Sequence, residues 1–473
     1  MNKRDGLARL GKIKTSHGNL DTPTLLPVVN PKILTLSMKE LKECGAQGII
    51  TNSYIIYKNP ELKEIAENKG VHGLLNWSGP IMTDSGTFQS HVYGEIDMQP
   101  EEILDFQKKI GVDIGTVLDV FCEPETRFED AKKELEETQR RIEESDKNKG
   151  SIFLAAPIQG GRHLDLRLKA AQMASKTNTD VFPIGGVVPL MEKNNFDTLT
   201  DVIIASKKGL DISKPVHLFG CGHPMLFALA TFLGCDLFDS SSYAKFASRD
   251  SLMFTWGTRN LDELEIIPSE FSTAPGITIH ELKSMEKKER QKIIAKHNLI
   301  ASFTEIRRVK QAIHDGLLWE LVESRLRASP ALMKVFEVIK KEIDWISEFE
   351  PAYRYKTPIK TGNESDFRPV FSNLSNSFKT GEMTHPYFGK VPIHLSETYP
   401  FHPGLLQNDI EGWKMQGWDI DRVKTILDYQ FGKGMGNVMT DGEIELVISR
   451  KTKRLRNLLL NGEHVASLSH RRG

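Results

Sequence analysis

Two aspartates, Asp84 in MTDSG and Asp239 in LFDSSS, each stand where a short apolar run stops and small polar residues begin. Asp119 in VLDVF and Gln159 in PIQGG occupy similar positions, and glycine pairs follow at Gly160 and Gly161 and at Gly185 and Gly186. Two carboxylates facing one another can divide acid-base work when their surroundings separate their pKa values. That is glycosidic chemistry: one carboxylate attacks an anomeric carbon, and the other supplies and recovers a proton. An aspartate and a side-chain amide nearby would read the edge of a planar heterocycle, with Phe88 or Phe219 as a stacking face. Taken singly, Asp84 or Asp239 also suits a turn or a helix cap. Three aspartates and a glutamine at successive run ends favour a shared site.

The elements that would position them alternate. Short runs rich in β-branched and apolar residues occur at 24–29, 48–51, 80–83, 115–120, 152–158, 181–184, 216–219 and 236–238. Between several of them lie amphipathic helical patterns such as PEEILDFQKKIG and FDTLTDVIIASKKG. Eight strands alternating with helices predict an α/β fold of the (β/α)8 TIM-barrel class, and the polar residues above would line its C-terminal mouth. Long charged helical patterns from about 280 to 347 would complete the outer layer. Proline, serine and asparagine then become frequent, which places a domain boundary near 350. The expected division is a barrel at 1–347, a smaller α+β accessory domain at 348–436 and a basic segment at 437–473. Residues 450–473 hold seven Lys or Arg and one acidic residue, Glu463, a footprint suited to phosphate contact.

With 62 basic against 63 acidic residues, the chain is no polycation, so any nucleic-acid site must be local. Its four cysteines show no zinc or redox spacing, which fits small buried residues in a reducing compartment. No signal-peptide pattern opens the chain, and no run approaches the ~20 apolar residues of a membrane span. The expectation is a cytoplasmic protein without membrane association.

These motifs resemble those of archaeal tRNA-guanine transglycosylases. The resemblance runs from ARLGKIKTSHGNLDTPTLLPVVNP at residue 8 through TDSGTFQ, VLDVF, PIQGG, IGGVVPLME, HLFGCGHP and GCDLFDSSSY to DYQFGKG near 429. It implies exchange of a guanine in the D-arm of tRNA, at position 15, for the 7-deazaguanine base preQ0, as the first step of archaeosine formation. By motif, Asp239 takes the nucleophile position and Asp84 the general acid/base position. Ser85, Phe88, Asp119, Gln159, Gly186, Val187 and Val188 fall where the base is bound. The implied partners are tRNA, preQ0, guanine and a second copy of the chain.

Two departures stand out. The family's structural zinc is held by three cysteines and a histidine, whereas here IIPSEFSTAPGIT puts Ser269, Phe271 and Ala274 at the cysteine positions and only His297 remains. The expectation is therefore no metal and no cofactor, with Phe271 packed in the metal's place between Pro268 and Pro275. The final segment also resembles only the opening of an RNA-binding PUA domain, which suggests a separate polypeptide carrying the rest. A catalytically silent homologue acting as a tRNA-binding subunit is the alternative. It is disfavoured because Asp84, Asp119, Gln159 and Asp239 are all retained. An unrelated barrel lyase would need a phosphate-binding glycine motif together with a lysine or metal constellation, and no such constellation stands out.

Overall fold

The computed structural model describes residues 3–87, 98–268, 277–350, 361–369, 382–385 and 389–392. Its strands are β1 (Lys3–Asp5), β2 (Ala8–Thr15), β3 (Gly18–Thr22), β4 (Thr24–Pro27), β5 (Ile49–Asn52), β6 (Ile81–Asp84), β7 (Ile114–Thr116), β8 (Phe153–Ala155), β9 (Phe182–Ile184), β10 (Val216–Leu218), β11 (Leu237–Ser240), β12 (Ser251–Phe254), β13 (Gly257–Asn260), β14 (Glu382–His385) and β15 (Gly389–Pro392).

Strands β4 to β11 form two parallel sheets, β5-β6-β7-β8 and β4-β11-β10-β9. Parallel bridges join them at both seams, Val28 with Ile50 on one side and Ala155 with Val181 and Ile158 with Ile184 on the other. The ring of eight strands expected from the alternating pattern is thereby completed. Leu26, Ile50, Met82, Ile114, Ala155, Val181 and Leu237 meet in one buried cluster, which fills the interior with side chains. Ile13 and Leu20 from the β2–β3 hairpin join the same cluster.

Because side chains alternate along a strand, the residue two places beyond each of these apolar positions also faces inward. Met82 is thus followed by Asp84, Ile50 by Asn52 and Leu237 by Asp239. On each of these three strands the apolar layer gives way to the polar mouth within two residues.

The opposite end of the barrel is held by charge. Asp113, just before β7, accepts hydrogen bonds from the Ile81 N–H at 2.9 Å and pairs with His17 Nδ1 at 3.0 Å and His72 Nε2 at 3.1 Å. Burial would raise this carboxyl, but His72, the Ile81 N–H and His17 together hold it well below the usual carboxylate range. The hairpin turn, helix Pro60–Leu75 and two barrel strands are tied at one point. A second buried pair, Arg9 with Asp236, is bidentate at 2.7 and 2.8 Å, and Asp236 also accepts the Val216 N–H.

The helices follow the expected patterns closely between residues 100 and 232: Pro100–Lys109, Phe128–Asn148, Leu164–Ala174, Phe196–Gly209 and Pro224–Phe232. The charged stretch after 279 differs. It divides into Ile279–Ser284, Lys287–Asp315, Leu318–Leu326, Pro330–Met333, Val335–Lys341 and Ile343–Ser347. Gly316, at φ +71°, ends the long helix in a left-handed turn that its pattern of charged residues did not announce.

By compactness the chain forms two units. The first comprises Met1–Lys3, Ala8–Gln311 and Arg325–Val338, and contains the barrel. The second comprises Arg4–Leu7, Ala312–Ser324 and the chain from Ile339 onward. Within the second unit, Ser365 Oγ donates to Glu323 at 2.7 Å, the Leu318 N–H donates to Asp5 at 3.0 Å, and β14 pairs with β15 antiparallel.

All four cysteines are buried free thiols, and burial pushes Cys122 and Cys235 up to about 12. No helix among the described residues is long and apolar enough to cross a membrane.

Replacing Arg9 with Met leaves Asp236 buried without its partner. Urea unfolding should then show a loss of about 3–5 kcal/mol, and an unchanged midpoint would mean that the pair adds nothing to stability.

Candidate active site at the barrel mouth

The strand register assembles the site. Asn52 and Asp84 are direct partners across β5 and β6, so the Asn52 Nδ2 reaches the Asp84 Oδ2 at 3.0 Å. The Gly86 N–H approaches Oδ1 at 3.3 Å, and Ser53 Oγ donates to the Asp84 carbonyl at 2.8 Å. Burial pushes the Asp84 carboxyl up to about 6. The Gly86 N–H and Asn52 oppose this, whereas the Asp119 and Asp239 charges add to it. A carboxyl so placed exchanges a proton near neutrality. Ser85 is buried beside it, its Oγ 3.2 Å from Thr87 Oγ1.

Across the mouth, Asp239 ends β11. Its Oδ1 accepts the Gly220 N–H at 2.9 Å. His217 Nε2 stands 2.9 Å from the same oxygen, at ion-pair distance but without the alignment of a hydrogen bond. Gly220 can present its N–H there because it sits at φ +72°, where a Cβ would meet Val188 Cγ2 at 2.3 Å.

Asp119 lies three residues beyond the end of β7, on the non-strand segment that follows. The expected strand over 115–120 is in fact Ile114–Thr116. Gln159 Nε2 donates to Asp119 Oδ2 at 2.6 Å. Burial raises the Asp119 carboxyl, and the Gln159 hydrogen bond opposes it. The Gln159 Oε1 is buried with no hydrogen-bond partner, an acceptor that an N–H of a planar ligand could satisfy. Gly186 closes on this amide at φ +67°. A Cβ there would lie 2.3 Å from the Cys122 carbonyl oxygen and 3.1 Å from Gln159 Oε1. Val187 is buried, and Val188 begins the short helix Val188–Glu192.

The mouth thus contains Asp84, Ser85, Asp119, Gln159, Gly186, Val187, Val188 and Asp239. Phe88 lies outside the described residues. Phe219 is partly buried against the core, its ring edge on His217 at 4.7 Å.

Two contributors escape a reading that looks only at run ends, and a third is visible there without its partner. Asn52 stands at such an end, but its bond to Asp84 depends on the register. His217 is hidden inside the run VHLF. Arg167 is fully buried, and its guanidinium donates to the carbonyls of Ile158, Gly161 and Gly185 at 2.7 to 2.9 Å. It fastens the loop bearing Gln159 to the loop bearing Gly186. Burial lowers its pKa to about 10, so it remains cationic at neutral pH. The sequence held a signal: residues 167, 170, 171 and 174 are spaced as one helical stripe, and the other three are alanines.

The stretch 269–276, at the expected zinc-ligand positions, lies outside the described residues. His297 is buried, with Nε2 3.2 Å from the Met253 carbonyl and its ring against Phe254. One imidazole with Ser269, Phe271 and Ala274 does not make a tetrahedral zinc donor set.

Replacing Asn52 with Leu removes a donor to the ionised form of Asp84. The Asp84 pKa should rise above 6, read by carboxyl carbon NMR across a pH titration, and an unchanged value would show that the Asn52 donor adds nothing to the stability of the ionised form.

Residues 4–331 match the family model described as queuine tRNA-ribosyltransferase, and residues 421–473 match the patch-forming domain C2 of tRNA-guanine transglycosylase. Among similar curated proteins, the tRNA-guanine(15) transglycosylases of Thermococcus onnurineus and Pyrococcus furiosus are each 41% identical, over 98% of this chain and 81% and 80% of their own. That of Thermoplasma acidophilum is 37% identical over 98% of this chain and 83% of its own.

Proposed function

Since the chain belongs to the queuine tRNA-ribosyltransferase family, we propose that it exchanges a guanine of tRNA for a free base through a covalent ribosyl-aspartate. The observation that carries this is the pairing of two inward carboxylates at one mouth, with burial pushing Asp84 up to about 6.

In the first half, an Asp239 oxygen attacks C1′ of the target ribose, the bond to guanine breaks, and guanine leaves with the proton that Asp84 donates. In the second half, the incoming base gives a proton to Asp84, its nitrogen attacks C1′, and the Asp239 carboxylate is released. One glycosidic bond replaces another, so no nucleotide triphosphate is consumed. Asp119, Gln159 and the Gly186–Val188 backbone hold the base edge, with Ser85 completing the pocket. The target nucleotide must leave its stack to reach the mouth, at a cost of a few kcal/mol that contacts elsewhere on the tRNA offset.

The finer reading follows the relatives' names and the motifs. The exchanged residue is guanine 15 in the D-arm, the incoming base is preQ0, and the product is the precursor of archaeosine. The same reading divides the chain into a catalytic domain at 1–347, an accessory domain at 348–436 and a basic RNA-contacting segment at 437–473, and places the protein in the cytoplasm. A second copy of the chain and a polypeptide carrying a PUA fold complete its set of partners.

The test is incorporation of labelled guanine or preQ0 into unmodified tRNA, with the adduct trapped on a denaturing gel. Asp239→Asn should abolish both exchange and adduct, and full activity in that variant would refute the nucleophile assignment. Asp84 is protonated below about pH 6 and ionised above it. Adduct formation, which needs the protonated carboxyl, should therefore slow as pH rises through that value. Asp84→Asn should bind tRNA, turn over slowly and lose this pH dependence. Retained tRNA binding with no exchange by the unaltered chain would instead identify a silent tRNA-binding homologue.

A further inference from the structure

We propose that His217 is a positioning residue that anchors the non-attacking oxygen of Asp239 and aids release of that carboxylate in the second half of the exchange. This rests on the reading of Asp239 as nucleophile.

His217 is fully buried on β10 and is in register with Leu237, two residues before Asp239 on the neighbouring strand. Partners in a parallel ladder share a face, so both side chains point into the barrel. The imidazole Nε2 lies 2.9 Å from Asp239 Oδ1, and neither ring nitrogen has a hydrogen-bond partner. A buried polar ring left unpaired carries a desolvation cost that a bond to the adjacent carboxylate would relieve. Phe219 packs edge-on against the ring at 4.7 Å and 74°.

The Gly220 N–H already occupies the same Oδ1. With His217 added, Oδ1 has two donors, and Oδ2 is the oxygen that attacks. As the ester forms, the electron pair of Oδ2 makes the bond to C1′, and the pair of the C1′–N bond departs with the base. Oδ1 becomes a carbonyl oxygen and loses charge. When the incoming base displaces the ester, the C1′–Oδ2 pair returns to the carboxylate, and charge reappears on Oδ1 opposite His217. The proton on His217 stays on the ring throughout. Its hydrogen bond is strongest to the free carboxylate, so it improves Asp239 as a leaving group and does not accelerate the attack.

The consequence differs from that of a packing role. In His217→Leu, breakdown of the adduct should slow by about tenfold to a hundredfold, the range of a hydrogen bond to a charged group. Adduct formation should not slow, so the ribosyl-enzyme should accumulate at steady state, and kcat and the KM for tRNA should fall together. His217→Gln, whose amide N–H can reach the place of Nε2, should restore breakdown. Single-turnover formation and breakdown of the adduct, with labelled tRNA and guanine, measure both steps. Equal slowing of both steps, or wild-type breakdown in His217→Leu, would overturn the proposal. Should the Leu variant melt far below the parent, His217→Asn, polar but too short to reach Oδ1, takes its place against His217→Gln. Asp239→Asn serves as the separate control: if it still forms adduct, the nucleophile reading fails, and if it is inert while His217→Leu is normal, only the role of His217 fails.

Discussion

Charged carboxylates resist leaving water and resist one another, and this mouth holds three of them within a few strand spacings. The barrel answers with donors drawn from neighbouring strands: Asn52 and the Gly86 N–H for Asp84, Gln159 for Asp119, the Gly220 N–H for Asp239. Each donor is in place because of strand register or a left-handed glycine, so the backbone geometry and the electrostatics are one arrangement. Donation is uneven. Asp84 remains raised despite its two donors, because burial and its acidic neighbours outweigh them.

This unevenness depends on the rigidity of what lies below. The apolar layer of Leu26, Ile50, Met82 and Leu237 sets the height of the polar residues above it. At the other end, Asp113 draws the hairpin, a helix and two strands together with its charge. Arg167 does comparable work at the mouth, joining two loops through their carbonyls. Stability and reactivity thus use the same residue types at opposite ends of the barrel.

Much of this was legible in the sequence because it is local. Eight runs of β-branched and apolar residues each contain, or overlap by two or three residues, a strand of the ring, and polar residues at their ends mark the mouth. What could not be read is what depends on partners distant in the chain. Asp119 was assigned to a strand end, but the ladder stops at Thr116, and a following segment carries it inward. The Asn52–Asp84 bond follows from a pairing register that no single segment encodes. Arg167 lies on a stripe of alanines, and the three carbonyls that hold its guanidinium come from Ile158, Gly161 and Gly185, which the helix pattern does not encode. The charged helices after residue 279 carried a clear period but not their breaks, because a glycine within a strong helical pattern does not by itself announce a turn.

The order of strands around the ring has one more consequence. The strand bearing Asp239 pairs with β4, so the first and last barrel strands are neighbours, with Asp239 opposite Leu26. During synthesis, a nascent chain that has emerged only as far as β10 possesses Asp84, Asp119 and Gln159 but lacks Asp239, and β4 still presents an open edge. Docking of β11 seals that edge and delivers Asp239 in the same event. An incompletely folded barrel therefore lacks one of its three mouth carboxylates, and the site is complete only when the last strand is home.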